Sequence, residues 1–469
     1  MRQWMVAAKK ADFYAIAEKF HVDPVVARII RNREVIGEKN IRIYLGGNLS
    51  DLSDPHQMKD MDRLVEILAQ KIRKQAHIRI IGDYDVDGVT SSHLFLTALR
   101  RVGAKVDVVI PHRIQDGYGL SLHLLQQAKE DGVDTILTCD NGIAAIDEIA
   151  WAKAQKMTVL VTDHHAVPFE EHEGRRTEKK SLADAVVNPH QQDCRYPYKE
   201  LCGAGVAWNV IRVLYENYDM DKREAEDLLD FVAMATVCDV MSLTGENRIL
   251  VKEGLKRIRH TKNIGLQALM QACNVQPENI SAYHFGYVLG PCVNATGRLD
   301  TARHALRLFE TGQETEAEEI ARDLVDLNQE RKELTLQGVE MAKKLCEEGG
   351  YENDPVLVLF LPDVHESIAG LIAGRIREMY NRPVFVLTRG EEGVKGSGRS
   401  TENYSMYENM CGCAELFTKF GGHPMAAGLS LPEENVDKFR EKINACANLT
   451  EDDLIPKIKI DIPMPAAYA

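Results

Sequence analysis

The chain has 469 residues, a formal net charge of −14 and ten cysteines. This length exceeds one ordinary domain and predicts two or three. The negative charge argues against a protein that wraps a DNA duplex, since such proteins are usually basic. No apolar run reaches the roughly 18 residues of a membrane span, so we expect a cytoplasmic protein without a membrane partner. Cys411 and Cys413 lack a second pair at zinc-site spacing, which favours reduced, buried thiols over structural zinc.

The predicted elements begin with a mostly helical segment over residues 1–60. Strands and helices then alternate over residues 61–310, where HIRIIGDY, KVDVVI, DTILTC and MTVLVT are apolar runs typical of buried strands. This alternation predicts an α/β fold with a doubly wound parallel sheet. A polar, unbroken stretch over residues 311–348 predicts a long connecting helix. Residues 349–455 predict a smaller α/β domain, and residues 456–469 begin like another strand.

Acidic residues and histidines follow three of the predicted strands and one helix. They are Asp83, Asp85 and Asp87 after the first strand, Asp140 after the third, Asp163, His164 and His165 after the fourth, and Asp239 after the helix FVAMATV. Each alone has a plainer explanation, because an aspartate after a strand is often a helix cap or turn residue. The carboxyl ends of parallel strands open onto one crevice, so all four positions together favour a single site.

A cluster of carboxylates needs a cation to offset the repulsion among them. Two divalent ions about 3.5–4 Å apart, bridged by one aspartate, would do so, activate a water and shield a phosphate during in-line displacement. Carboxylates with one imidazole suit Mn²⁺ or Mg²⁺. The pattern therefore predicts metal-dependent hydrolysis of a phosphodiester.

Two sets of motifs carry a family resemblance. DYDVDG, CDNG, TDHHAVP, ATVCDVMSL and NATGRL, in this order, resemble the DHH phosphoesterase superfamily, and the GGH of FGGHPMAAGLSL resembles the DHHA1 signature. Longer stretches, among them IPHRIQDGYGL, TGENRILVKEGL and GSGRS, resemble the RecJ-like exonucleases within that superfamily.

The resemblance implies a role for each matching position. The implied metal ligands are Asp85, Asp87, Asp140, His164 and Asp239, with Asp140 bridging. Asp83 and Asp163 are expected beside them, with Asp163 orienting His164. The implied catalytic residues are His165, Asn294, Arg298 and His423. His165 is expected to face the scissile phosphate, with a packing role as the alternative.

The same resemblance implies the substrate contacts. They are Arg113, Ser397 and Arg399. Ser397 and Arg399 offer a hydroxyl and a guanidinium to the phosphate of a 5′ end, and the glycines of GSGRS are expected to let backbone approach closely. A surface turn is the alternative for GSGRS. Asn294 and Arg298 are expected to contact the scissile phosphate from the far side of the sheet domain, and the role of His365 stays open.

Two positions depart from the family pattern. Ile81 stands where many DHH enzymes have a histidine ligand, four residues before Asp85, so one metal is expected to have one ligand fewer. Cys292 stands where an arginine is usual, and a neutral thiol cannot replace a charge-assisted phosphate contact. Five of the six usual ligands are present, which argues against a non-catalytic DNA-binding scaffold.

The resemblance thus implies a metal-dependent 5′→3′ exonuclease that hydrolyses single-stranded DNA to 5′-mononucleotides in DNA repair and recombination. We expect two α/β lobes with the active site in the groove between them, and the start of an OB-fold module at residues 456–469. Besides single-stranded DNA, a single-strand-binding protein or a helicase is the implied partner. The alternative is a phosphodiesterase of the same superfamily that acts on short oligonucleotides or cyclic dinucleotides.

Overall fold

The computed structural model describes residues 2–113, 116–117, 119–172, 175–390 and 393–464. The chain divides into a large unit, Arg33–Asn328, and a small unit, Met1–Asn32 with Gln329–Ala469. The described strands are β1 Gln3–Val6, β2 Ile78–Ile81, β3 Val106–Val109, β4 Thr135–Cys139, β5 Thr158–Thr162, β6 Phe169–His172, β7 Arg175–Glu178, β8 Ala185–Val187, β9 Leu357–Phe360, β10 Val384–Gly390, β11 Gly393–Arg399, β12 Lys419–His423, β13 Ala426–Leu431 and β14 Lys457–Ile460.

The described α-helices follow in the same order of the chain. They are α1 Phe13–Phe20, α2 Pro24–Asn32, α3 Glu38–Gly46, α4 Met61–Arg73, α5 Val86–Arg101, α6 Leu122–Glu130, α7 Ile146–Ala154, α8 Gly203–Asn217, α9 Lys222–Glu226, α10 Leu229–Cys238, α11 Gly245–Arg257, α12 Ile264–Ala272, α13 Ala282–His284, α14 Gly290–Leu299, α15 Ala302–Glu310, α16 Glu314–Gly349, α17 Ala369–Tyr380, α18 Met406–Cys411 and α19 Val436–Ala445. Among the described residues, none of these helices combines the length and the apolarity that crossing a bilayer demands.

The large unit is built on a parallel sheet. Among its described residues five strands pair in the order β3-β2-β4-β5-β8, all parallel. Ile80 and Leu137 face a core formed with α5 and α8, while Ile81 and Ile136 face a second core formed with α6 and α7. Full burial of such a side chain stabilises the fold by about 1.5–3 kcal/mol. Burial on both faces explains the continuous apolar runs, and the predicted doubly wound α/β fold is confirmed.

The order of the strands creates a crevice at their carboxyl ends. The chain leaves β2, adds β3 on one side, and returns to place β4 on the other side of β2. The segments after β2 and β4 therefore turn to opposite faces and leave a gap between them. Strand β8 was not predicted, because three residues are too few for a recognisable apolar run.

The small unit holds a mixed sheet and a paired terminus. Among its described residues the strand order is β12-β13-β11-β10-β9, with β9 and β10 parallel and the remaining pairs antiparallel. The predicted smaller α/β domain is therefore confirmed. The strand expected near the end of the chain, β14, pairs in parallel with β1, which the helical prediction for the first residues missed.

The long helix α16 joins the two units. Its 36 residues, Glu314–Gly349, agree closely with the prediction for residues 311–348. The division between the units, after Asn328, lies within this helix.

Candidate metal centre

The turn between β2 and α5 brings three aspartates to the crevice. Asp85 is the N-cap of α5, and its side chain accepts a hydrogen bond from the backbone N–H of Gly88 at 3.0 Å. Asp83 precedes it, and Asp87 lies in the first turn of the helix. Asp83 and Asp87 are 1% and 2% exposed, so this turn buries negative charge at the end of β2.

Asp87 and Asp140 meet at the start of α8. The carboxylate oxygens of Asp87 accept the backbone N–H groups of Gly203 at 2.6 Å and Ala204 at 2.8 Å, at a helix N-terminus that favours negative charge. Asp140 follows β4 with a left-handed φ of 61°, a conformation that costs about 1 kcal/mol or more and is concentrated at functional sites. Gly203 leaves room for Asp140, because a Cβ there would lie 2.6 Å from its Cβ.

The Nε2 atom of His164 lies among three carboxylates. Asp140 Oδ1 is 3.1 Å from it, and Asp239 Oδ2 and Asp87 Oδ2 lie at 3.6 and 3.7 Å. Asp239 comes from the C-terminal end of α10. The Nε2 atom is buried and has no hydrogen-bond partner within the described part of the chain. Buried polar atoms are almost always paired, so this arrangement fits a cation that His164 would bind.

The side chain that Asp163 orients is that of His165, which corrects the prediction for His164. Asp163 Oδ1 accepts a hydrogen bond from His165 Nδ1 at 2.8 Å, and it contacts His164 through the backbone N–H at 2.7 Å. Burial alone would lower the pKa of His165, but the hydrogen bond and the charge of Asp163 outweigh it and raise that pKa to about 9. Burial lowers the pKa of His164. The two neighbouring histidines are therefore held in different electrostatic environments.

Burial and mutual repulsion disfavour ionisation of the carboxylates. Burial, followed by the charges of Asp87 and Asp85, raises the pKa of Asp140 well above its ordinary value. The same causes in the same order raise the pKa of Asp239 to about 8. Burial, followed by the charge of Asp85, also raises the pKa of Asp83 well above its ordinary value. Such perturbed carboxyl groups in a crevice are typical of a site that binds cations.

The donor atoms form two adjacent triads that share no residue. The first is Asp83, Asp85 and Asp140, and the second is Asp87, His164 and Asp239, with the ligand atoms of each triad within 4.8 Å of one another. Asp140, His164 and His165 form a third group of the same kind, which overlaps both. Asp83 Oδ1 is buried without a hydrogen-bond partner among the described residues. Carboxylate oxygens and one imidazole fit a pair of hard divalent ions. Asp83, expected only beside the ligands, thus lies where it can bind an ion itself, and the triple aspartate of DYDVDG is the sequence signal for this.

The NATGR segment lies against the turn after β2, and not on the far side of the domain as predicted. Asn294 Oδ1 accepts a hydrogen bond from the backbone N–H of Val86 at 3.2 Å. The guanidinium of Arg113 lies over the ring of Tyr84, 4.6 Å from its centroid. Burial raises the pKa of Tyr84 to about 12, while the charges of Arg113 and Arg298 act to lower it. Arg113 therefore contacts the aspartate turn, and Arg298 is near enough for its charge to act there, which sequence order alone could not reveal.

The two positions that depart from the family pattern are both buried. Ile81 is fully buried in the core formed with α6 and α7. Cys292 is 2% exposed, and Asn328 Nδ2 donates a hydrogen bond to its Sγ at 3.4 Å. Position 292 therefore faces the interior of this chain and does not present a group to a DNA backbone.

The glycines of GSGRS serve the packing of the small unit. The first four residues of GSGRS are the end of strand β11, and Ser400 follows it, so the segment is not a surface turn. A Cβ at Gly398 would lie 2.8 Å from the ring of Phe385 and 2.9 Å from Met406 Sδ. A Cβ at Gly396 would similarly lie 2.4 Å from Leu387. These glycines are therefore required by the unit's own core on one face of the strand, and a close approach of substrate to their backbone stays a prediction.

Ser397 and Arg399 occupy the other face of β11, because side chains alternate along a strand. The guanidinium of Arg399 lies against Gly370, near the start of α17, where a Cβ would be 2.8 Å from Nη2. A helix N-terminus beside an arginine is a favourable position for an anion. His423 is exposed at the end of β12. His365, whose role was left open, caps a short turn by accepting the backbone N–H of Ser367.

Two family models match the chain. Residues 77–236 match the DHH family, N-terminal domain, and residues 353–449 match the DHHA1 domain. A protein of Haemophilus influenzae, named single-stranded-DNA-specific exonuclease RecJ, is 36% identical over 439 residues, which cover 90% of this chain and 74% of that protein. The chain belongs to the RecJ family. A RecJ of Bacillus subtilis is 34% identical over 96% of the chain, and the chain spans 56% of that relative's length.

Solved RecJ structures have the same fold. RecJ from Thermus thermophilus in complex with Mn²⁺ has a TM-score of 0.83 at 28% identity, over 99% of this chain and 65% of that one. An exonuclease RecJ bound to manganese has a TM-score of 0.72 at 31% identity, over 84% of this chain and 96% of that one. The RecJ fold therefore extends over nearly the whole chain, and the resemblance carried by the motifs is confirmed.

Proposed function

We propose that the chain hydrolyses single-stranded DNA from its 5′ end and releases 5′-mononucleotides, with two Mn²⁺ or Mg²⁺ ions at the candidate metal centre. Its relatives are named single-stranded-DNA-specific exonucleases, and solved relatives contain Mn²⁺. The observation that carries the proposal is the pair of adjacent triads, which meet where Asp140 Oδ1 lies 3.1 Å from His164 Nε2. Five converging carboxylates have no simpler explanation than bound cations.

The chain's own residues have separable tasks in this reaction. The triads hold the two ions, which supply a lowered pKa for the attacking water and offset the charge of the phosphate. His165 Nδ1 donates a hydrogen bond to Asp163, so the other ring nitrogen of His165, Nε2, is the one that contacts the substrate. Arg113 and Arg298, which flank Tyr84, supply positive charge for the DNA backbone. Asn294 fixes the turn that carries the first triad through the N–H of Val86.

The proposed polarity depends on the small unit. Ser397 and Arg399, on the face of β11 next to the start of α17, supply donors for a terminal phosphate. An enzyme that holds the 5′ end cuts beside it, which gives release of single nucleotides. A role in DNA repair and recombination, a cytoplasmic location, and a single-strand-binding protein or helicase as partner stay predictions from the family resemblance.

The chemistry is tested with the variant His164→Ala. We expect Mn²⁺-dependent digestion of a labelled single strand to fall to near background, because one triad loses its only imidazole. The matched control is His56→Ala, which removes a partly exposed histidine of the same unit. If folded His164→Ala protein digests the strand at the wild-type rate, the ligand assignment is wrong.

The polarity is tested with strands that are blocked at one end. We expect a 5′ block to stop digestion and a 3′ block to leave it unchanged, with mononucleotides as the product on a gel. Equal digestion of both strands contradicts binding of the 5′ end. Faster turnover of a dinucleotide or a cyclic dinucleotide than of a long strand would instead favour a phosphodiesterase of short substrates.

A further inference from the structure

Two tyrosines lie exposed and stacked on the helical segment that leads to Asn294. Tyr283 and Tyr287 are 63% and 73% exposed. Their ring centroids are 5.1 Å apart and their ring planes differ by 24°. A single exposed aromatic residue is common on protein surfaces. A stacked pair on a helix instead presents a preformed aromatic face, with little side-chain freedom to lose on binding.

The tyrosine pair lies on the same helical segment as the candidate catalytic residues Asn294 and Arg298. Five positions with accessible side chains follow one another: Tyr283, Tyr287, Pro291, Asn294 and Arg298. Within the α-helix, steps of three and four residues keep Pro291, Asn294 and Arg298 on one face. Tyr283 and Tyr287 precede them and lie side by side through the stacking of their rings. Phe285, Leu289 and Cys292, which lie between them, are buried. The turn Phe285–Leu289 is π-helical, an irregularity that is frequent at functional sites.

This segment is attached to the metal centre at two points. Asn294 accepts a hydrogen bond from Val86 in the aspartate turn. Further back, Cys238 Sγ donates to the carbonyl oxygen of Phe285 at 3.3 Å, and Cys238 immediately precedes the candidate ligand Asp239. From Arg298 to Tyr287 the helix extends for about 16 Å at 1.5 Å per residue. The exposed face therefore leads from the carboxylates to the aromatic pair over a distance of several nucleotides.

We propose that Tyr283 and Tyr287 form a stacking platform for nucleobases of the strand on the 3′ side of the cleaved bond. This inference rests on the proposed function, since release of single nucleotides from the 5′ end leaves the rest of the strand on the 3′ side. Stacking tolerates any sequence because every base has an aromatic face. It also requires unpaired bases, so the platform selects single strands that are long enough to reach it.

The test compares Tyr283→Ala/Tyr287→Ala with Tyr283→Phe/Tyr287→Phe. Tyr14→Ala, which removes a 78% exposed tyrosine of the small unit, is the matched control. For the alanine variant we expect KM on a long strand to rise about tenfold for each stacked base lost. We expect kcat and the rate on a dinucleotide to be unchanged, and the phenylalanine variant to behave like wild type. A long strand with abasic sites across the platform should reproduce the KM increase with the wild-type protein.

A binding measurement separates this inference from the proposed function. In the presence of a chelator, which prevents cleavage, fluorescence anisotropy should show weaker binding of a long strand to the alanine variant than to wild type. If long-strand KM and binding do not change, or if dinucleotide and long-strand rates fall equally, the platform is refuted. A change in oligomeric state of the alanine variant on size-exclusion chromatography would also refute it and assign the pair to self-association. Absence of metal-dependent digestion by wild type refutes the proposed function instead.

Discussion

The candidate metal centre of the large unit and strand β11 of the small unit differ in how far their charged side chains are buried. The centre buries like charges together, with Asp83, Asp87 and Asp140 only 1–2% exposed. Strand β11 keeps Ser397 and Arg399 partly exposed, where water can solvate them. Buried like charges are costly unless an ion of opposite sign joins them. The buried carboxylates of the centre therefore require a bound cation even without substrate. The proposed role of β11, by contrast, depends on the phosphate of a bound substrate.

The largest expected effect is a fall in kcat when a carboxylate of the candidate metal centre is removed. Asp140→Asn removes a carboxylate that both triads contact, and we expect kcat to fall about a thousandfold or more, the scale seen when a group that stabilises transition-state charge is lost. In a chelator the same variant should unfold at the same temperature as wild type or higher, because an amide does not bear the cost of ionisation that burial and the charges of Asp87 and Asp85 impose on Asp140. The control is Asp147→Asn, an exposed aspartate of α7. Thermal unfolding without metal that shows a strong loss of stability would contradict the electrostatic argument.

A smaller fall in kcat/KM is expected when Arg399 of β11 is replaced. Arg399→Gln should lower kcat/KM for a 5′-phosphorylated strand by about ten- to a hundredfold, the usual contribution of a charged hydrogen bond. The stabilisation that Mn²⁺ gives to the protein should not change. Arg389→Gln, which removes an arginine of the neighbouring strand paired with Glu433, is the control. An unchanged kcat/KM would show that Arg399 is not a substrate contact.

The glycines of β11 are expected to affect stability alone. Gly398→Ala places a methyl group against Phe385 and Met406 and should lower the free energy of unfolding by about 1–3 kcal/mol. The KM for a 5′-phosphorylated strand should stay at the wild-type value. Gly374→Ala is the control, because, apart from the chain neighbours and the backbone of α17 itself, no atom of the described residues lies within 4 Å of a Cβ at that position. If Gly398→Ala raised KM without loss of stability, the glycine would belong to the substrate site.

The smallest effect concerns a buried group that the large unit keeps neutral. Burial, followed by the charge of Arg100, lowers the pKa of His93 in α5 to about 3. The unfolded chain takes up a proton below its ordinary pKa of about 6.5 and the folded chain does not, so stability is lost as the pH falls through that value. We expect His93 to account for about 1 kcal/mol of the stability lost between pH 7 and pH 5.5.

Chemical unfolding of His93→Leu at both pH values measures this contribution. The variant should lose less stability than wild type as the pH falls. His56→Gln is the control and should change the pH dependence in the opposite direction, because the hydrogen bond that His56 donates to Asp62 raises the pKa of His56. An identical pH dependence in His93→Leu and wild type would show that His93 takes up a proton as readily in the folded protein as in the unfolded chain.

The sequence predicted the strands that carry the candidate metal ligands, since buried parallel strands are continuous apolar runs and their carboxyl ends lie at one edge of the sheet. It did not predict β8, which is only three residues long, or the pairing of β1 with β14. It could not show that Asp163 bonds the side chain of His165, because neighbouring histidines differ only in the direction of their side chains. Asn294 lies against the turn after β2, and Gly398 packs against Phe385 and Met406. Both are contacts between segments far apart in the sequence, and the spacing of apolar residues does not predict such contacts.

Calorimetric titration of the metal-stripped chain with Mn²⁺ tests the central claim most directly. We expect two ions per chain for wild type, and the loss of at least one binding event in Asp140→Asn, which should remain folded. An absence of Mn²⁺ binding to the folded wild-type chain, or the same binding in wild type and Asp140→Asn, would contradict the assignment of the buried carboxylates as a two-metal centre.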